Sequence, residues 1–291
     1  MKSVTLAILA ALSAIVLAQA AAADPIPVVA AENFYGDVAA QIGGAAVAVT
    51  SILTNPDEDP HLFEASPSTA RALVAAKLVI YNGVDYDPWM DKLLSANRAP
   101  GREIIVAADL MHRKSGDNPH LWYDPATMPA VAKAIATELG VIDPSNKAAF
   151  DKGLATFLES LQPFVEKVKA MHGKYAGSTV TATEPVAGYL AEAIGLKMRN
   201  KEFQLAVMND AEPTAKQVAA FENDLKGHAV KVLLYNNQAT EELTKRMQSI
   251  ALSSHVPVVG VSETEPPGVT YQAWMTKQLD ALDKALSGGV Q

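Results

Sequence analysis

The chain has no cysteine among its 291 residues. That excludes disulfides, thiolate metal ligands and a catalytic thiol. Basic residues are nowhere clustered, and 24 Lys and Arg stand against 32 Asp and Glu, for a net charge of −8; nucleic acid is excluded as a partner. There is no low-complexity segment and no repeat of fixed period. A His-Glu-x-x-His helix, the signature of many zinc hydrolases, is also missing. The one long apolar run, Val4 to Leu17, is short for a membrane span of roughly 20 residues.

That run is what a secretory signal peptide needs. Lys2 supplies a positive start, and Ala18-Gln19-Ala20-Ala21-Ala22-Ala23 supplies small residues before Asp24. The expectation is a signal peptide over residues 1–23, cleaved near Ala23. With no cysteine to carry a lipid, the expected product is a free periplasmic protein that is not lipid-anchored.

The remainder is long enough for two domains of about 130 residues each. Ile26 to about Leu139 alternates apolar strand runs with helical spacing, as in Leu78-Val79-Ile80-Tyr81 closed by Asn82-Gly83. From Phe150 through Leu154, Phe157, Leu161, Phe164, Val168 and Met171, apolar residues recur at spacings of three and four. This stripe predicts one long helix, on the order of 40 Å, kinked at Pro163. The strand and helix pattern then restarts at Ser178. The predicted fold is α/β: two lobes with mainly parallel sheets flanked by helices. Residues 24–142 form the N-terminal lobe, 143–174 the connecting helix and 175–291 the C-terminal lobe.

Two segments echo each other. Pro60-His61-Leu62-Phe63 and Pro119-His120-Leu121-Trp122 each hold a histidine between a proline and an apolar-aromatic pair. In open α/β sheets ligands bind beyond the carboxyl ends of the strands. His61 and His120 fall there in the first lobe, and Glu184 and Glu263 fall there in the second, all at equivalent strand ends. Two imidazoles and two carboxylates make a plausible metal site. Glu265 competes with Glu263 for the fourth place, and Gln238 is a further alternative. Asn236 or Gln238 is expected to hydrogen-bond a ligand carboxylate, and Asp124 either an imidazole or the start of the next helix. His112, His172, His228 and His255 read as structural or solvated.

These pieces together resemble the periplasmic metal-binding proteins of bacterial ABC importers, the cluster A-I or zinc/manganese-uptake solute-binding family. The matching segments are Ala31-Glu32-Asn33-Phe34-Tyr35-Gly36-Asp37, Asp59-Pro60-His61 with Pro67-Ser68, Tyr81-Asn82-Gly83, Asn118-Pro119-His120-Leu121-Trp122 with Asp124-Pro125, Thr183-Glu184-Pro185 with Gly188-Tyr189, and Val261-Ser262-Glu263. The resemblance implies two α/β lobes joined by one rigid helix, a metal in the cleft between them, and ligands at His61, His120 and Glu184. The fourth family ligand is usually aspartate; this chain has Glu263 there. The His-rich loop of many zinc-uptake members is absent between Leu110 and His120.

The expected function is capture of one divalent ion, Mn²⁺ or Zn²⁺ with Fe²⁺ as a third candidate, and its delivery by a monomer to an ABC-type membrane permease. Oxygen-rich ligation favours Mn²⁺, whereas intrinsic affinity and four-fold coordination favour Zn²⁺. A secreted metallohydrolase is the rival reading, but four protein ligands leave no open position for water. A metal-binding adhesin or buffer without a transporter is a second rival.

Overall fold

The computed structural model describes residues 24–57, 63–239 and 241–288. The expected signal peptide and His61 lie outside the described residues. The first half runs β1 (Ile26–Glu32), α1 (Asn33–Gly43), β2 (Val47–Leu53), α2 (Pro67–Ala75), β3 (Leu78–Tyr81), α3 (Pro88–Ala96), β4 (Glu103–Val106), α4 (Ala107–Leu110) and α5 (Thr127–Ile142). Then come α6 (Lys147–Ser160) and α7 (Gln162–Tyr175). The second half runs β5 (Thr179–Ala182), α8 (Gly188–Ala193), β6 (Lys197–Met198), α9 (Lys201–Met208), α10 (Ala215–Lys226), β7 (Leu233–Asn236), α11 (Glu242–Ser253), β8 (Val258–Val261) and α12 (Tyr271–Leu286).

Each half holds one four-stranded parallel sheet, ordered β2-β1-β3-β4 and β6-β5-β7-β8. The inner strands, such as Leu78-Val79-Ile80-Tyr81 and Leu233-Leu234-Tyr235-Asn236, are buried throughout, as strands covered on both faces must be. The two sheets repeat one strand order, so β1 corresponds to β5, β3 to β7 and β4 to β8. In both, the chain reverses direction across the sheet between the two inner strands, which opens a crevice at their carboxyl ends.

The long apolar stripe is divided. Pro163 has no N–H to offer the carbonyl of Glu159, and the helix breaks at Leu161 into α6 and α7. The turn still holds together, because Leu161 N–H donates to Phe157 O and Val165 N–H to Leu161 O. The two segments serve different neighbours. α6 packs on α1 and α5, so closely that a Cβ on Gly153 would stand 2.3 Å from the carbonyl oxygen of Ile42. α7 packs on α12, where Lys174 pairs with Asp283 at 3.3 Å.

α5 runs past Gly140 to Ile142 and stops at Asp143, the residue before Pro144, which proline drives out of the helical region. α8 starts at Gly188, three residues after Pro185. β6 and α9 follow within residues 197–208.

Candidate metal centre

His120 sits on a short loop tied to the end of β3. Asn82 follows β3, and its Nδ2 donates to Pro119 O at 2.8 Å while its Oδ1 accepts from Tyr35 Oη at 2.7 Å. Its backbone is pinned in turn: the Asp87 carboxylate accepts the N–H groups of Asn82 (2.6 Å) and Gly83 (2.8 Å). The chain then makes a tight turn, with Val84 and Asp85 at φ 54° and 61°. Trp122 follows His120 and fills the space beside it. Its ring lies 5.3 Å from the imidazole, 4.6 Å from Phe34 and 4.9 Å from Tyr86. The imidazole is thus fully buried in an aromatic wall.

Glu184 comes two residues after β5, and Glu263 two after β8. Asn236, the last residue of β7, joins them: its Nδ2 donates to Glu184 Oε2 at 3.0 Å and to Glu263 Oε1 at 2.7 Å. Gln238 holds the turn that carries Glu263, its Oε1 accepting the N–H groups of Glu263 (2.6 Å) and Thr264 (3.0 Å). Both carboxylates are buried, at 3 % and 1 % exposure.

The halves meet face to face at these residues. His120 Nε2 lies 3.2 Å from Glu263 Oε2. Tyr123 Oη donates to Ser262 O at 2.8 Å, and Tyr271 Oη to Trp122 O at 2.6 Å. Asn118 Oδ1 accepts from His120 Nδ1 at 2.7 Å. With Nδ1 acting as donor, the lone pair of the neutral ring is on Nε2, the atom facing Glu263. A lone pair and a carboxylate oxygen at that distance require a positive species, a proton or a metal cation. Two ligand atoms bound tetrahedrally at Zn–N and Zn–O lengths stand roughly 3.3 Å apart, close to the spacing seen. Among the described residues, however, no group of three or more His, Cys, Asp or Glu is gathered closely enough to hold an ion by itself. The remaining sequence candidate, His61, lies outside those residues.

Glu265 points elsewhere. Its backbone is clamped by Asn33, which donates to Glu265 O at 2.6 Å and accepts from Glu265 N at 3.1 Å. Its side chain shares a seam pocket with Asp37. Burial, and then the Asp37 charge, push its carboxyl up to about 9.

The other assignments divide. Asp124 does not reach the imidazole; it accepts from Ala126 N at 2.9 Å, and Asn118 takes the place beside His120. His112, His228 and His255 have left-handed backbone angles of 53°, 51° and 56°, just beyond α4, α10 and α11, where helices end. The supposed equivalence of the four strand ends also fails. Glu184 follows the inner strand β5, whereas the loop of His61 follows the edge strand β2. The true counterpart of Glu184 in the first half is Glu32, at the end of β1.

Glu32 was not anticipated, although a charged residue closing an apolar strand at the ligand edge was a readable signal. It is fully buried, and neither carboxyl oxygen receives a hydrogen bond from an N–H or O–H among the described residues. Its partner is the Asp87 carboxyl. Burial, then Asp87, hold Glu32 well above the ordinary carboxylate range, and burial pushes Asp87 up to about 6. Two facing buried carboxyls of this kind share one proton. Burial, and then the Glu263 and Glu32 carboxyls, likewise hold the Tyr86 phenol well above its usual value. Tyr86 therefore stays a donor, hydrogen-bonded to Glu263.

The shared proton has a measurable consequence. Both carboxyls bind protons more tightly folded than unfolded, so their contribution to stability is complete below about pH 4 and is lost as pH rises through about 6 and beyond. Glu32→Gln, a neutral mimic of the protonated acid, should gain on the wild type between pH 5 and pH 8, by on the order of 1–3 kcal/mol. Urea denaturation at both pH values measures this; an unchanged difference between the two proteins would remove the shared proton.

Comparison with known proteins agrees with this architecture. The family model described as zinc-uptake complex component A, periplasmic (ZnuA) matches residues 28–285. The manganese ABC transporter substrate-binding lipoprotein PsaA of Streptococcus pneumoniae is 22 % identical over 285 residues, covering 91 % of this chain and 90 % of the relative. The iron ABC transporter substrate-binding lipoprotein MtsA of Streptococcus pyogenes serotype M1 is 22 % identical over 288 residues, covering 92 % and 91 %. Among solved structures, the periplasmic zinc binding protein TroA from Treponema pallidum superposes with a TM-score of 0.74 at 18 % identity, covering 90 % of this chain and 99 % of that one. The Mn-bound periplasmic metal binding protein from Candidatus Liberibacter asiaticus gives 0.73 at 20 % identity, covering 89 % and 98 %. One expectation falls with these relatives. PsaA and MtsA are named lipoproteins, which overturns the expectation of a protein that is not lipid-anchored. Lack of cysteine speaks only of the chemistry a thiol performs; it does not decide how a protein is held at a membrane.

Proposed function

The chain belongs to the periplasmic zinc-uptake complex component A family, and from that premise we propose that it holds one Mn²⁺ or Zn²⁺ ion between His61, His120, Glu184 and Glu263. It is the metal-binding component of an ABC importer and not an enzyme. The ion is cargo, to be passed as such to the membrane permease by a monomer.

One observation carries this reading: a buried imidazole nitrogen and a buried carboxylate from opposite halves face each other at 3.2 Å, with a second carboxylate on the same Asn236 amide. Two neutral imidazoles and two carboxylates cancel a divalent charge, which a buried site requires. The named relatives are described as manganese and iron transporters and as a zinc binding protein. Imidazole and carboxylate ligands suit each of those ions to different degrees.

Elemental analysis of the purified protein should find about one such ion per chain, and titration of stripped protein with Mn²⁺ and Zn²⁺ should restore it. Protons compete for the same imidazole, so affinity should fall as pH drops through roughly 6.5. Stripped, folded protein that takes up neither ion would refute the proposal, and a flat profile to pH 5 would refute histidine ligation.

A further inference from the structure

Asn118 is held by both halves of the molecule at once. Its Oδ1 accepts from His120 Nδ1 at 2.7 Å and from the His120 backbone N–H at 3.2 Å. Its Nδ2 donates to Pro185 O at 2.8 Å, on the residue that follows Glu184. Its own carbonyl accepts from Tyr189 Oη of α8 at 2.9 Å. The amide orientation is dictated by its partners. A backbone N–H can only donate and a carbonyl can only accept, so Oδ1 must face His120 and Nδ2 must face Pro185. Gly188, the first residue of α8, makes the room: a Cβ there would stand 2.9 Å from Nδ2.

The two ends of this carboxamide do different work. The acceptor end lies within the first half and sets the ring so that Nε2 presents its lone pair. The donor end is satisfied only while the second half is docked. We propose that Asn118 is a positioning residue that latches the Glu184 turn to the His120 loop, so that the residence time of the ion depends on its amide. This rests on the reading that His120 and Glu184 are ligands. The choice of amide over carboxylate is the chemical crux. Aspartate would still accept from Nδ1 but would set an oxygen against the Pro185 carbonyl, acceptor against acceptor. A latch of this kind must have a donor.

Asn118→Asp and Gly188→Ala test the latch in the full chain, with Zn²⁺ as the probe and release into excess chelator followed by stopped flow. Both should still bind one ion and release it at least about 10-fold faster than the wild type, in line with the 10–100-fold effects of groups that orient ligands. The aspartate should also move the pH midpoint of binding upward, because a carboxylate on Nδ1 raises the proton affinity of the ring. That shift reads the contact with Nδ1, whereas faster release in Gly188→Ala, which leaves that contact in place, reads the contact across the seam. Wild-type release rates in both variants would overturn the latch. The underlying reading fails separately, and visibly, if His120→Ala binds Zn²⁺ as the wild type does.

Discussion

His120→Ala should bind Zn²⁺ and Mn²⁺ more than about 100-fold more weakly than the wild type, exceeding the 10–100-fold loss typical of groups that merely orient a ligand. The imidazole is fully buried, its ring is set by Asn118, and its Nε2 faces the carboxylate of the opposite half. Alanine cannot replace that lone pair, and the aromatic wall of Trp122 and Tyr86 supplies no other nitrogen or oxygen base to do so. The readout is stabilisation by metal. At a free ion concentration about 1,000 times its dissociation constant, the wild type gains about 4 kcal/mol against unfolding. A variant weakened about 100-fold gains only about 1.4 kcal/mol at the same concentration. Denaturation with and without metal reports this difference independently of any loss of stability from the cavity. An equal gain in both proteins would remove His120 from the ligand set.

Two glutamates only two residues apart should behave as opposites. Glu263→Gln keeps the shape of the side chain but gives up its charge, and it should weaken metal binding by more than about 100-fold, leaving three candidate ligands and one uncompensated positive charge on the ion. Glu265→Gln should leave affinity unchanged, because Asn33 turns that residue toward Asp37 and away from His120. Its effect is on stability instead. The Glu265 carboxyl is raised to about 9, so the folded wild type loses stability as pH rises from the ordinary carboxylate range toward 9, and the glutamine variant does not. At pH 8 Glu265→Gln should therefore be the more stable protein, with the advantage shrinking toward pH 4.5. Isothermal titration with Zn²⁺ and urea denaturation separate the two. Loss of metal binding in Glu265→Gln with retention in Glu263→Gln would reverse the assignment.

The difference between these two positions was beyond the reach of the sequence. Both follow the same strand, both are glutamate, and the strand-end rule selects them equally. The clamp from Asn33, more than two hundred residues away, decides which one turns inward. The role of Asn118 was out of reach for a related reason: it comes from having a donor and an acceptor on opposite sides of a seam, and no local pattern records a seam. Glu32 was within reach, since it ends a strand at the edge where ligands gather. Its neighbour Asp87 could not have been paired with it from spacing alone.

What the sequence determined by itself is what local chemistry dictates. Buried strands read as continuous Val, Ile and Leu runs, helices as three- and four-residue spacing, and the alternation of the two means parallel sheets with ligand sites at their carboxyl ends. That logic places His120, Glu184 and Glu263 at strand ends from their positions in the chain. The tertiary structure alone decided which of these atoms face one another and how the asparagine amides orient them. Hydrogen bonds act over about 3 Å, and the residues that make them here are separated by 232 positions in the Asn33–Glu265 clamp; only packing of the two sheets against each other brings such distant groups within that range.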